Sequence, residues 1–389
     1  MRRPVLGGVA LALLVPFLSA TQSPAATPGV ELPERRRAAP ELNVTVVVHD
    51  LDHPWDIRQV DDTRYLVTER NRRRLTMLRD GGETMGVDLK KRRRIWVSGE
   101  TGLMGLAVDP RFDSNRRIYM CSGWKTDGGG HDVRVVTWRL SKRLTSARPV
   151  DTLIKGLPST SGRHGGCRLL IADNGALLVG TGDAAVSGNP QDLGSLGGKT
   201  LRLDPRTGKP WPTNPWAKKD GPRRFVLTYG HRNVQGLAQR KDGSLWSVEH
   251  GSFRDDEINR LRPGGNYGWD PDPGYDESVP MTDHSLPGKQ VNARWSSGTP
   301  TIATSGADWV AGEDWGAYRG TLAVGCLGGQ RLMFVKFTAK GKLRWDRAPA
   351  ALREYGRLRG VTRDTDGSLL VTTDNGSGND RILRVRPAG

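Results

Sequence analysis

The sequence predicts an all-β fold, a six-bladed β-propeller. Three observations carry the prediction. A turn containing Asp, Asn or Gly precedes a short apolar strand six times, the strands starting near Leu66, Ile118, Leu177, Leu245, Leu322 and Leu369. These starts lie roughly 50 to 80 residues apart, a spacing that means one supersecondary unit per repeat. Helical periodicity is nearly absent, and 50 Gly with 24 Pro in 389 residues interrupt any long helix. Each interval has room for four short strands and their turns. Two packed β-sandwiches would explain the strands but not the sixfold recurrence.

The chain begins with Arg2 and Arg3, an apolar run over 5–18, and the small residues Ser23, Pro24, Ala25 and Ala26. A basic start, an apolar middle and a small-residue cleavage zone read as a secretory leader over 1–26. The run is shorter than the roughly 20 apolar residues of a spanning helix, so a stable membrane span is not expected. Residues 27–42, rich in Pro, Ala and charge, are expected to be a disordered linker. The propeller then occupies 43–389. The expected location is outside the cytoplasmic membrane, secreted or in the cell envelope.

Three cysteines, Cys121, Cys167 and Cys326, allow at most one disulfide and exclude a disulfide scaffold. Sequence leaves open which two pair, or whether all are free. Net charge is +17 and stays strongly positive without Arg2 and Arg3. Two runs concentrate it, Arg70-Asn71-Arg72-Arg73-Arg74 and Lys90-Lys91-Arg92-Arg93-Arg94. No aromatic residues interleave them and no nucleic-acid motif accompanies them, so they read as a solvated basic surface and no nucleic-acid partner is expected.

The long intervals between strands hold the chemistry, because loops on one face of a propeller build its site. His164 stands in the Gly-rich turn Ser161-Gly162-Arg163-His164-Gly165-Gly166-Cys167, where a ligand can approach the backbone and an imidazole can act as a base. Arg232 and Asn233, in Tyr229-Gly230-His231-Arg232-Asn233, offer donors suited to a carboxylate or quinone oxygen. Arg357 and Arg359 are two residues apart, which puts both on one face of a strand and makes them a candidate anion clamp. The acidic run Asp255-Asp256-Glu257 suits a hard cation such as calcium. Zinc spacing, a phosphate-binding Gly loop and the serine-hydrolase marker are all missing.

Assembled, these motifs resemble the soluble pyrroloquinoline-quinone (PQQ) dependent sugar dehydrogenases, the glucose/sorbosone dehydrogenase family. The likeness runs from about Leu51 to Pro387. It includes Leu51-Asp52-His53-Pro54-Trp55, Gly102-Leu103-Met104-Gly105, the His164 turn and Gly197-Gly198-Lys199. It continues through residues 229–237, Glu249-His250-Gly251, Asp256-Glu257-Ile258-Asn259, Asn266-Tyr267-Gly268-Trp269 and Gly356-Arg357-Leu358-Arg359. The resemblance implies an enzyme with PQQ and Ca2+ as cofactors, a sugar as substrate and an external electron acceptor. It implies His164 as the base at the sugar's C1 hydroxyl, with Arg232 also catalytic. Glu100, His164, Arg232, Asn233, Thr301, Arg357 and Arg359 are implied to contact PQQ. The carbonyls of Gly251 and Ser252 are implied ligands of the calcium beside it. Glu257, Tyr267 and Tyr275 match a second calcium site of some members.

Three positions depart from the family pattern. A quinone-contacting Gln is Glu100 here, an Asp before the catalytic His is Arg163, and a cation expected after Leu327 is Gly328. Glu100 and Gly328 favour an alternative, a secreted carbohydrate- or polyanion-binding propeller that has lost tight PQQ binding. A lactonase-like hydrolytic propeller is a third reading, supported only by Asn233.

Overall fold

The computed structural model describes residues 38–388 of the chain; the expected leader and most of the expected linker lie outside the described residues. Strand β1 (Leu42–Leu51) is followed by four antiparallel strands, β2 (Pro54–Asp61), β3 (Arg64–Glu69), β4 (Arg74–Arg79) and β5 (Thr84–Leu89). The next four are β6 (Leu103–Val108), β7 (Arg117–Lys125), β8 (His131–Leu140) and β9 (Ser146–Leu157). Then come β10 (Arg168–Ile171), β11 (Leu177–Gly180), β12 (Lys199–Leu203) and β13 (Val226–Tyr229). β14 (Val234–Gln239), β15 (Leu245–Glu249), β16 (Glu257–Arg260) and β17 (Trp295–Ser296) form another sheet. So do β18 (Thr304–Trp309), β19 (Thr321–Cys326), β20 (Arg331–Phe337) and β21 (Leu343–Arg347). The last sheet has the order β1-β24-β23-β22, built from β22 (Leu358–Arg363), β23 (Leu369–Thr373), β24 (Asp380–Pro387) and the first strand of the fold. β2 to β9 make one eight-stranded sheet, in which two antiparallel quartets meet at a short parallel pairing of Asp88 with Ser146 and Leu89 with Ala147.

The strands predicted near Leu66, Ile118, Leu177, Leu245, Leu322 and Leu369 lie in β3, β7, β11, β15, β19 and β23, the second strand of each four-strand run. The first strands pack in a closed circle: β2 on β6, β6 on β10, β10 on β14, β14 on β18, β18 on β22 and β22 on β2. Core side chains fill the gaps between successive sheets. Trp246, fully buried, packs on Trp309 and Phe337 with ring centroids 5.5 and 4.6 Å away. A side chain of that size contributes on the order of 3 kcal/mol by leaving water.

The segment that leads into β1 is part of the described fold. Residues 38–42 are packed: Ala317 donates its N–H to the Ala38 carbonyl, and Ala39 and Leu42 pack against the core. These residues lead directly into β1, which pairs with β24. The cysteine question is also answered. Cys121 in β7 is bonded to Cys167, just after the His164 turn, with 5.6 Å between their Cα atoms, and Cys326 is free and buried.

Strand parity decides where function can sit. Successive strands of a run alternate in direction, so the turn from second to third strand and the connection from fourth strand to the next run emerge at the same end. That end carries Arg70, Glu100, His164, Arg232, Asn233, Gly251, Ser252, Thr301 and Arg357. One long connection, between β16 and β17, starts at the opposite end. It climbs back beside β13, bridging Asn266 to Tyr229 in parallel, and so brings Trp269, Tyr275 and Glu277 to the same place.

Candidate active site

The His164 turn is held from behind. Asn233 accepts the Gly166 N–H with its Oδ1 at 3.1 Å and donates Nδ2 to Glu100 at 3.1 Å. Gly182 is required opposite the turn, because a Cβ there would lie 1.8 Å from the His164 carbonyl oxygen. His164 itself is buried, with a left-handed backbone at φ 49°.

Its imidazole is oriented by Asp183, a fully buried residue that the sequence reading missed. Nδ1 lies 2.8 Å from Asp183 Oδ1. The other carboxylate oxygen accepts Tyr275 Oη–H and Trp269 Nε1–H, each at 2.8 Å, and the Ala185 N–H donates to Oδ1 at 2.8 Å. With Nδ1–H donated to the carboxylate, Nε2 keeps its lone pair, the state a general base needs. No hydrogen bond occupies Nε2 among the described residues. Burial pushes the Tyr275 hydroxyl up, and the Asp183 charge adds to the effect, so it stays a neutral donor.

Beside this pair lies a group of arginines. Arg359 donates to Gln235 Oε1 at 3.0 Å and to Asp374 Oδ2 at 2.7 Å. Arg357, which precedes β22 rather than lying in it, donates Nε to the Asp374 carbonyl at 3.1 Å. The two guanidinium groups therefore converge as expected, but they already share the Asp374 carboxylate. Burial opposes ionisation of Asp374, yet Arg359 and Arg70 hold its carboxyl below the usual range. Arg70 is buried, and desolvation with the nearby Arg359 charge brings its guanidinium down to about 10. Asp374 and Glu100 pull in the opposite sense, so Arg70 feels the Glu100 charge.

Arg232 is paired with Glu277 and lies over the Trp269 ring, 5.7 Å from its centroid. Glu277 also accepts from Arg163 at 3.3 Å. Arg163 therefore does not stand in for the cation missing at Gly328. Gly328 instead lies against Ile302 and Ala303. The neighbouring motif residues act as scaffold. His231 donates or accepts through both ring nitrogens, to Glu249 and Thr228 at 2.8 Å each, and stacks on Tyr267 at 4.6 Å. Glu249 also accepts the Arg232 backbone N–H at 2.9 Å, which fixes the backbone that carries the guanidinium.

Gly251 and Ser252 sit in a loop wound around buried Asp256. Asp256 accepts N–H groups from Gly251 at 3.0 Å, Ile302 at 2.6 Å and Ala303 at 2.8 Å, so it docks this loop on the turn that carries Thr301. The second expected calcium set does not assemble through its side chains. Tyr275 Oη is on His164 and Asp183, Tyr267 Oη donates to the Arg260 carbonyl at 2.7 Å, and Glu257 accepts from Thr282 and Asn259. The long β16–β17 connection separates them.

Buried polar atoms in this region without a partner among the described residues include Arg232 Nε, Arg359 Nε, His250 Nε2 and Ser252 Oγ, and also the carboxylate oxygen Asp374 Oδ1. Such atoms are costly unless something else supplies the bonds. Burial and the charges of Arg359 and Arg232 keep the His250 imidazole well below its ordinary range. The site can thus hold an anionic group among arginines while presenting an oriented imidazole to a hydroxyl. Asp183, Asp374, Gln235, Arg70 and His250 were not read from sequence as site residues. Only the Gly before Asp183 and the Arg at the end of β3 offered local hints.

Comparison with known proteins adds the following. The glucose/sorbosone dehydrogenase family profile matches residues 51–384. The chain is 29% identical over 371 residues to the aldose sugar dehydrogenase YliI of Escherichia coli, covering 90% of this chain and 94% of that one. The PQQ-bound aldose sugar dehydrogenase of Streptomyces coelicolor superposes with a TM-score of 0.74 at 29% identity, covering 90% of this chain and 99% of that one. The soluble aldose sugar dehydrogenase of E. coli in its apo form gives 0.79 at 27% identity, covering 90% and 100%.

Proposed function

The chain belongs to the glucose/sorbosone dehydrogenase family, and on that premise we propose that it is an exported quinoprotein that oxidises an aldose at C1 to the lactone. The scaffold is read as a six-bladed propeller, one blade per four-strand run, closed by β1. The observation that carries the functional reading is the buried His164–Asp183 pair beside arginine N–H groups that lack partners.

PQQ is a tricarboxylate quinone, and the residues fit it. Arg357 and Arg359 would hold carboxylates, Arg232 and Asn233 the quinone oxygens, and Thr301 a further edge. Glu100 is tolerated beside an anion because Arg70 and Asn233 answer its charge. When bound, PQQ supplies the two-electron sink that no side chain provides. The carbonyls of Gly251 and Ser252 would hold calcium, whose Lewis acidity favours electron uptake at the quinone. The protein's own work is then proton transfer and orientation. His164 Nε2 takes the proton of the C1 hydroxyl as hydride leaves C1, and Asp183 stabilises the resulting imidazolium while fixing the ring plane.

The test is titration of the apoprotein with PQQ in excess calcium, followed by dye reduction with a panel of aldoses. Stoichiometric binding with sugar-dependent reduction is expected, and His164→Ala should keep binding while losing reduction. A second reading, a carbohydrate-binding propeller without PQQ, is favoured by Gly328 and by the carboxylates already paired with Arg232 and Arg359. Absence of binding at micromolar PQQ in the folded, calcium-loaded protein would select it.

A further inference from the structure

The two basic runs are far apart in sequence but meet in the fold. Arg73, Asp88, Leu89, Lys90, Lys91, Arg92 and Arg93 line one concavity of about 460 Å3. The contact between the loops is built: Arg92 donates Nη2 to the Arg72 carbonyl at 2.6 Å. Only Lys90 has an acidic partner inside the concavity, Asp88 at 2.6 Å. Arg72 and Arg74 turn away to Glu69, and Arg94 to Asp127. Arg73, Lys91, Arg92 and Arg93 form no ion pair among the described residues, and Arg73 Nε is buried without a partner. Like charges crowded into a concavity repel unless they share an anion.

The place matters as much as the charge. Arg73 is in the β3–β4 turn and Lys90 to Arg93 in the β5–β6 connection. By strand parity both belong to the end that bears the active site. Arg70, in the same turn, accepts the Leu103 N–H with its carbonyl at 3.2 Å, just past Glu100 in the same connection. The concavity is thus a rim of the mouth through which electrons must leave.

We propose that this basic concavity docks the external acceptor, an anionic one-electron carrier. The inference rests on the dehydrogenase reading above. With ferricyanide as the carrier the reaction balances as one aldose and two ferricyanide ions giving one lactone, two ferrocyanide ions and two protons. A trianion is attracted to the rim, whereas a cationic oxidant is not, and surface fields of this kind change encounter rates by roughly tenfold or more.

The experiment compares the wild-type protein with Lys91→Glu/Arg93→Glu, both loaded with PQQ and calcium. The expected result is a fall of at least tenfold in kcat/KM for ferricyanide, with the sugar KM within twofold of wild type and the rate with hexaammineruthenium(III) equal to or above wild type. Raising ionic strength should slow the wild-type ferricyanide reaction and leave the variant's nearly flat. Ferrocyanide titrated calorimetrically into the apoprotein should show a binding component that is lost in Lys91→Glu/Arg93→Glu and kept in Arg359→Ala. An unchanged ferricyanide constant in the double variant overturns the docking site while leaving the dehydrogenase reading intact. Failure of both oxidants to accept electrons from any sugar overturns that reading and the acceptor role with it. Ferrocyanide binding that is indifferent to the double variant removes the anion site itself.

Discussion

Replacing Asp183 by Asn should separate orientation of the base from assembly of the site. The carboxylate accepts four donors: His164 Nδ1–H and Ala185 N–H on one oxygen, Tyr275 Oη–H and Trp269 Nε1–H on the other. An amide has one acceptor oxygen, so in either orientation its NH2 faces a pair of donors. With NH2 toward His164, Nδ1 must become the acceptor and Nε2 the protonated atom, the wrong tautomer for a base. With NH2 toward Tyr275 and Trp269, the imidazole keeps its tautomer but loses a charge-assisted bond. Such a bond is worth about 1.5–3 kcal/mol, a rate loss of about tenfold to 150-fold. The assay is steady-state dye reduction at saturating acceptor, with PQQ affinity and thermal midpoint measured on the same preparation. Asp183→Asn should lower kcat within that range, leave the sugar KM within about threefold and bind PQQ as wild type does. A kcat within twofold of wild type, with PQQ retained, would refute the orienting role. Equal losses of kcat, PQQ binding and melting temperature would refute it as well, in favour of a folding role.

The other predictions concern the cofactor clamp, the disulfide and a buried acid. Arg359→Ala should raise the PQQ dissociation constant by about tenfold to a hundredfold, and Arg357→Ala by less, because Arg359 is buried with an unpartnered Nε while Arg357 is partly exposed; fluorescence titration distinguishes them. Replacing Cys121 and Cys167 by Ser opens a loop spanning 46 residues, for which chain entropy gives a loss of about 4 kcal/mol; urea unfolding with and without reductant measures it. Burial and the neighbouring Glu249 charge raise the Glu257 carboxyl from 4.5 to about 8. The folded state therefore keeps a proton that the unfolded state gives up between those values. Its contribution is full below the lower value and is lost as pH rises to the upper one. Glu257→Gln should be more stable relative to wild type at pH 8 than at pH 5, by at least about 1 kcal/mol, the worth of a shift of one pKa unit; chemical denaturation at both pH values checks it.

Local signals explain what the sequence made legible. The strand near Leu177 follows Asp173-Asn174-Gly175, and that near Leu369 follows Asp366-Gly367; both turns and strands stand where expected, because turn chemistry and a short apolar run are decided within a few residues. The His164 turn and the Arg232-Asn233 pair carry their own glycines and were likewise readable. Asp183 was not, since an acid after a glycine becomes an orienting group only when a turn between β11 and β12 meets one between β9 and β10. Asp374 was hidden for the same reason, and without it the paired arginines looked free to clamp an anion. Glu257, Tyr267 and Tyr275 were implied as a cation site by the family resemblance, and their side-chain oxygens are engaged by different partners in the fold. A connection that leaves one end, visits the other and comes back carries Tyr275 away to His164 and Asp183.

The last sheet draws its outer strand from the beginning of the chain, pairing Leu42 with Pro387 and Val44 with Val385. A ribosome releases β1 long before β24, with every other strand of the fold in between. Until β24 appears, β1 has no partner, and the circle of first strands has no lock. The polypeptide must therefore travel most of its biosynthetic life incomplete. Once the two ends zip together, neither can peel away without breaking a sheet, so fraying at the termini is coupled to loss of the whole.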